Sequence, residues 1–179
     1  AISASARRAF YAPLGGVFAN GSIFGFTTAY LAAAMEAKAI PLAAFFTAST
    51  FSMFASRFLA MRRFEKSDRR ILVAVGLGLM SAGFVMVAAS GVSWPIAIGG
   101  YSLVYPVLSA WMAEDLPPSE RAGPQALLNT AFNFGLFVTP YPASFVIGEF
   151  GYTAAMLALA ALGALTAAQF IVMKARMRS

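Results

Sequence analysis

The sequence predicts an all-α membrane protein in which six transmembrane helices form a single bundle over residues 1–179. The chain is 60% hydrophobic and only 11% of its residues are charged. A soluble domain of this length needs a more polar surface than so few charges can supply. Apolar stretches of about 20 residues, the length that crosses a bilayer, recur along the whole chain.

Six such stretches are separated by short segments that carry turn or charge signals. These segments read EAKAIP, RRFEKSDRR, SGVSWP, AEDLPPSERAGP and GEFGY. Proline, glycine and clustered charges interrupt apolar helices at such points. The predicted spans cover approximately residues 10–35, 40–61, 71–90, 94–113, 125–147 and 152–173.

The basic residues agree with this division of the chain. Six of them lie in residues 56–70, SRFLAMRRFEKSDRR, which cover the end of the second predicted span and the loop before the third. If the spans alternate in direction, twelve of the 13 basic residues fall on one side, and only Lys38 falls on the other. Because basic residues collect on the cytoplasmic side, we expect both termini to be cytoplasmic.

This distribution also bears on localisation and partners. Membrane sidedness accounts for the net charge of +6, so no nucleic-acid partner is expected. The expected partner is the lipid bilayer, and the expected location is a bacterial inner (plasma) membrane, as a multi-pass integral protein.

Enzyme chemistry is not expected. The chain has no Cys and no His, so thiol chemistry and the commonest metal ligand are both missing. Phosphate-binding glycine loops, metal-ligand clusters and nucleophile triads are not found in the sequence. We therefore predict no catalytic residue, no metal and no cofactor.

Three stretches resemble transporters of the major facilitator superfamily, and the overall resemblance extends from residue 7 to residue 179. Residues 61–70 are similar to the family loop G-x-x-x-D-R-x-G-R-R, although both glycines are replaced. The stretch GYSLVYPVLSAWMAEDLPPSERAGPQALLNTAFNFG resembles the connection between the fourth and fifth helices of the C-terminal half. The stretch NFGLFVTPYPASFVIGEFGYTAAMLALAALGAL resembles the last two helices of the drug and sugar efflux branch.

The resemblance implies a six-helix half bundle of the C-terminal type. Transporters of this family have twelve spans, arranged as two such halves around a central cavity. The chain would then be part of a longer protein, a half-length protein that pairs with another chain, or a bundle that has taken another role.

By the same resemblance, the first, fourth and fifth helices approach the substrate cavity. Polar and aromatic residues at helical spacing on these spans are the substrate-binding candidates, and the alternative for each is packing between helices. The candidates are Asn20, Phe24, Thr27, Tyr101, Tyr105, Asn129 and Asn133.

For the basic loop, the resemblance implies the role of a latch at the cytoplasmic ends of the helices. Cations are favoured near helix C-termini and pair with acids on neighbouring helices, and the alternative is a role in topology alone. The candidate loop residues are Arg62, Arg63, Glu65, Asp68, Arg69 and Arg70, with Glu114 and Asp115 as possible partners.

Two functions follow from these expectations. The first is a secondary active transporter, or half of one, that moves a small organic solute by alternating access. The second is a transport-inactive accessory or structural subunit of a larger membrane complex. The transporter is the preferred hypothesis, and the accessory subunit is its alternative. The loss of the loop glycines and the lack of a carboxylate within the spans speak for the alternative.

Overall fold

The structure is a computed structural model. It describes most of the first, third, fifth and sixth predicted spans, and parts of the second and fourth. The described residues are 4–37, 68–90, 104–112 and 117–175, with the single positions 41, 43, 47, 50, 51, 54, 55 and 58. Regular structure in this part of the chain is helical, without strands, which confirms the predicted all-α class there. The helices are α1 (Ala4–Ala37), α2 (Arg69–Ser90), α3 (104–112), α4 (Ala122–Val138) and α5 (Pro140–Ala175), with a 3-10 turn at Pro118–Glu120.

Three helical stretches among the described residues are long and apolar enough to cross a membrane. They are Pro13–Ala37, Arg69–Ala89 and Ala122–Ala175. The first two coincide with the first and third predicted spans. Most of the second span and much of the fourth lie outside the described residues, so the structure supports three candidate spans and the number six stays a prediction.

The third stretch covers the fifth and sixth predicted spans, residues 125–147 and 152–173. It contains 54 residues, and at a rise of 1.5 Å per residue a straight helix of this length would be about 80 Å long, far more than a bilayer. The helix is broken at Gly151, which has φ 79° and ψ 173°. Only glycine adopts such angles readily, so the break falls in the predicted turn GEFGY.

The contacts of α1 show that the chain reverses across this break. Tyr30 of α1 lies beside Pro140, while Gly21 and Gly25, earlier in α1, lie against Phe132 and Leu136. Because residue numbers rise together along both helices, α1 and α4 run parallel.

The second part of α5 runs the other way. Gly16 of α1 lies against Phe170, whereas Ile23 lies near Gly163. Residue numbers rise in α1 as they fall in α5, so these two helices are antiparallel. Gly151 therefore separates two helices that run in opposite directions.

The remaining helices follow the same alternation. At its start α2 meets the end of α5 through Asp68 and Lys174, and Ser81 lies against Gly163 further along. Hence α2 is antiparallel to the second part of α5 and runs with α1. Ser109 of α3 contacts Gln125 of α4, and Tyr105 contacts Asn129, so α3 and α4 are antiparallel as well.

The core lies mainly between α1, α2, α3 and the second part of α5, and Leu128 of α4 also belongs to it. It consists of aliphatic, methionine and phenylalanine side chains that are excluded from solvent. Its largest fully buried members are Phe26, Phe170, Ile23, Met35, Leu77, Met80, Leu108, Leu128 and Met156. Burial of these side chains leaves the outer faces of α4 and α5 exposed, with Phe137, Tyr141 and Phe150 each more than 70% accessible.

Candidate functional site

Glycines bring α1 and α4 into direct backbone contact. A Cβ added at Gly21 would overlap the carbonyl oxygen of Phe132, and one at Gly25 would overlap that of Leu136. From the opposite helix, a Cβ at Gly135 would overlap the carbonyl oxygen of Phe18. Small residues allow such close approach between helices in membranes. The contact fixes the positions of the larger side chains beside it.

Four of those side chains form a cluster that joins three helices. The Tyr105 cluster consists of Phe24 from α1, Tyr105 from α3, and Asn129 and Phe132 from α4. The rings of Tyr105 and Phe132 meet edge to face with centroids 5.5 Å apart. The ring of Phe24 lies 5.9 Å from that of Phe132 at a tilt of 35°. Both distances fall in the range of favourable aromatic pairs.

The polar part of the cluster is a hydrogen bond between side chains. The Tyr105 hydroxyl donates to Oδ1 of Asn129. Asn129 is exposed, and so is Asn133 one helical turn further along α4. Within the described residues no hydrogen bond uses Nδ2 of Asn129 or the side chain of Asn133. The cluster and the neighbouring Asn133 therefore present two amides on an exposed face of α4.

A second polar contact holds α3 and α4 together next to the cluster. The Ser109 hydroxyl donates to Oε1 of Gln125 over 3.0 Å, and Nε2 of Gln125 donates to the Ser109 carbonyl over 2.9 Å. The reciprocal pair sets the register of the two helices. Gln125 and Phe132 are missing from the predicted site. Their spacing from Asn129, four residues before it and three after it, is the signal that places all three on one face.

Two of the predicted candidates lie apart from this cluster. Asn20 is fully buried, with 0% of its surface accessible, and neither atom of its side-chain amide has a hydrogen-bond partner among the described residues. Thr27 is half-buried, and its hydroxyl donates to the carbonyl of Ile23 over 2.8 Å. The structure thus joins Phe24, Tyr105 and Asn129, with Asn133 beside them. Tyr101 lies outside the described residues.

The predicted basic loop is described only at its end. Asp68 lies 3.9 Å from Nη1 of Arg70 and 3.8 Å from Nζ of Lys174, so one carboxylate bridges the start of α2 and the end of α5. The Arg70 guanidinium lies 5.2 Å from the centre of the Trp111 ring, within cation–π distance. Trp111 in turn contacts Phe170 at 6.0 Å. This charged end connects α2, α3 and α5.

The structure describes one of the other predicted loop residues. Arg69 is described and half-buried at the start of α2. The loop residues Arg62, Arg63 and Glu65 and their possible partners Glu114 and Asp115 lie outside the described residues. Asp68 and Arg70 both belong to the predicted loop residues, whereas Lys174, the second partner of Asp68, is a residue that the sequence prediction left out.

Among the described residues, no three acidic side chains come close enough together to hold a metal ion. The chemistry that the Tyr105 cluster offers is instead hydrogen bonding by amides next to aromatic rings. No protein-family model, no curated protein and no solved structure matches the chain.

Proposed function

We propose that the chain is a secondary active transporter, or half of one, that moves a small organic solute across a bacterial inner membrane by alternating access. The observation that carries the proposal is the exposure of Asn129 and Asn133 on α4, a helix with no charged residue. Polar side chains are unfavourable against hydrocarbon and face protein or water-filled cavities in membrane proteins. Such a cavity would lie beside the Tyr105 cluster.

The arrangement of the helices supports this proposal. Successive predicted spans alternate in direction wherever contacts define them: α1, α2 and α4 run one way, and α3 and the second part of α5 run the other. This is the order expected of a six-span half bundle of the major facilitator type with both termini cytoplasmic. A second such half would face the Tyr105 cluster across the cavity.

The charged end is consistent with a cytoplasmic boundary. Arg70, Lys174 and Trp111 lie at the same end of the bundle. Basic residues collect on the cytoplasmic side of membrane proteins, and tryptophan is common where helices leave the hydrocarbon. The side chains at this end thus agree with the sidedness that the sequence predicts.

A second candidate function is an accessory subunit of a larger membrane complex. It is favoured by the composition of the helices that form the Tyr105 cluster. They carry no Asp, Glu, Lys or Arg in residues 13–35, 104–112 and 122–138, so this part of the chain offers no carboxylate for proton coupling. In that case the helices of another protein would cover Asn129 and Asn133.

Cysteine accessibility separates the two functions, because the sequence contains no cysteine. Asn129→Cys and Asn133→Cys would be made in the full-length protein and treated in membrane vesicles of both orientations with a membrane-impermeant, charged thiosulfonate. If the chain is a transporter, each cysteine should react with the reagent in vesicles of either orientation, because the cavity opens to the two sides of the membrane in turn.

The matched control is Leu165→Cys on the second part of α5. Leu165 is 72% exposed. Gly163, two residues before it, lies near Ile23 of α1, and Phe132, next to Asn133, lies against Gly21 of α1. Leu165 and Asn133 therefore lie at a similar depth in the bundle. Leu165→Cys should face lipid and stay unreactive. If Asn129→Cys and Asn133→Cys are as unreactive as Leu165→Cys, no aqueous cavity adjoins α4 and the transporter proposal fails.

A further inference from the structure

The Tyr105 cluster contains features that select a class of solute. Its four members supply three aromatic rings, one hydroxyl and one amide, and Asn133 adds a second amide on the same face of α4. We infer that the solute is an uncharged aromatic molecule with hydrogen-bonding groups, held by ring contacts and by the amides of Asn129 and Asn133. This inference rests on the proposed function, since it describes what enters the same site.

The lack of charge on the three helices argues for an uncharged solute. No acidic or basic residue occurs in residues 13–35, 104–112 or 122–138, which form the cluster and its surroundings. A charged solute that leaves water needs an opposite charge or several hydrogen bonds to offset its lost hydration. These helices provide hydrogen bonds and aromatic surface but no ionic partner.

The arrangement of the rings argues for an aromatic solute. The rings of Tyr105 and Phe132 meet nearly at right angles, and both are only partly buried. A further ring can add to such a pair by stacking or edge contact. An aliphatic solute would gain less from this geometry.

The amides argue for hydrogen-bonding groups on that ring. Tyr105 already donates to Oδ1 of Asn129, which fixes the amide of Asn129 with its Nδ2 group as a remaining donor. The Asn133 amide, which has both a donor and an acceptor, lies one turn away on the same helix. A carbonyl or amide substituent on the solute would pair with these groups.

Three probes that share one ring system and differ in charge test the inference. They are 2-naphthamide, 2-naphthoate and 2-naphthylmethylammonium, whose intrinsic fluorescence reports binding to the full-length protein in detergent. We expect 2-naphthamide to bind at least tenfold more tightly than either charged probe. Asn129→Leu and Asn133→Leu should each weaken its binding about three- to tenfold, the loss expected for one hydrogen bond.

Ser144→Ala is the matched control variant, because Ser144 is exposed beyond the cluster and its hydroxyl is already bonded to the Tyr141 carbonyl. It should bind 2-naphthamide as the unaltered protein does. Equal or tighter binding of a charged probe, or 2-naphthamide binding that is insensitive to both asparagine variants, would overturn the inference. Cysteine accessibility at Asn129 and Asn133 is read separately, so a transporter that takes another solute remains distinguishable from a chain that does not transport.

Discussion

Several hydroxyl side chains in this bundle are satisfied within their own helices, although the buried hydroxyl of Ser22 has no hydrogen-bond partner among the described residues. The hydroxyls of Thr27, Ser81 and Thr166 each donate to the carbonyl four residues earlier, over 2.8 to 2.9 Å. Their polar groups are therefore satisfied within their own helices. An amide on a helix is larger and has both a donor and an acceptor to satisfy. Asn129 meets part of this need through Tyr105, whereas Asn20 does not.

Replacement of Asn20 is expected to stabilise the protein. Its amide is fully buried, and an unpaired buried polar group costs about 1–3 kcal/mol. Leucine has a similar size and nothing to pair, so Asn20→Leu should raise the midpoint of thermal unfolding, measured on the purified protein in detergent.

Asn20→Asp is the companion variant, because it keeps the size of the side chain and adds a charge to an apolar site. It should lower the unfolding midpoint. If Asn20→Leu lowers the midpoint as well, the amide has a stabilising contact, and a role for Asn20 beyond packing would be supported.

At the scale of helices, the fold depends on the direct contact between α1 and α4. The carbonyl oxygens of Phe132 and Leu136 occupy the space where Cβ atoms of Gly21 and Gly25 would lie. Any side chain at these positions would force the helices apart and would separate Phe24 from Phe132. The aromatic contact in the Tyr105 cluster therefore depends on these glycines as well as on the aromatic residues.

The substitution Gly21→Ala tests this dependence. The added methyl group overlaps backbone that cannot rotate away, and overpacking of this kind costs about 1–3 kcal/mol. Gly21→Ala should lower the thermal unfolding midpoint and weaken binding at the Tyr105 cluster.

Gly15→Ala, in the same helix, is the matched control. A Cβ at Gly15 meets nothing within 4 Å, and alanine favours a helix over glycine by about 1 kcal/mol. The control should be neutral or stabilising. Equal effects of the two substitutions would mean that helix propensity, and not the contact with α4, decides the result.

At the scale of the whole molecule, the two ends of the bundle differ in chemistry. One end holds Asp68, Arg70, Lys174 and Trp111, which connect three helices through charged and aromatic contacts. The opposite end holds the reversal at Gly151, with exposed Glu149 and Phe150 beside it. If the bundle spans a membrane with both termini cytoplasmic, the first end is inside and the second is outside.

Labelling of single cysteines checks this orientation. Glu149→Cys should react with a membrane-impermeant maleimide in intact cells, whereas Ala175→Cys should react only after the membrane is permeabilised. Reaction of both positions in intact cells would contradict the reversal at Gly151. Reaction of Ala175→Cys in intact cells, with Glu149→Cys reacting only after permeabilisation, would contradict the predicted sidedness.

The sequence predicts the helices well because their signals are local. Apolar length identifies α1 and α2 within a few residues, and the turn signal around Gly151 falls where the backbone leaves the helix. The predicted span 125–147 includes two prolines, and the helix does continue through them. Pro140 and Pro142 lack backbone N–H groups, yet Thr139 keeps helical angles and bonds to Gly135, so the helix persists there.

Contacts between helices are less readable from the sequence. Helical spacing places Asn129 and Asn133 on one face, but it does not show that Phe132 joins Phe24 and Tyr105 from two other helices. It also does not separate Asn20, which is fully buried, from the exposed asparagines. These distinctions depend on the rotation of each helix about its axis, and that rotation is set by partners far away in the sequence.

The glycine contact between α1 and α4 has a mechanical consequence. No layer of side chains separates the two backbones at Gly21, Gly25 and Gly135, so neither helix has room to slide or turn against the other. The two helices should therefore move as one rigid body. Relative movement of helices would then occur where side chains alone make the contact, as between α3 and α4. If α3 moved relative to α1 and α4, Phe24 and Phe132 would stay together while their distance to Tyr105 changed.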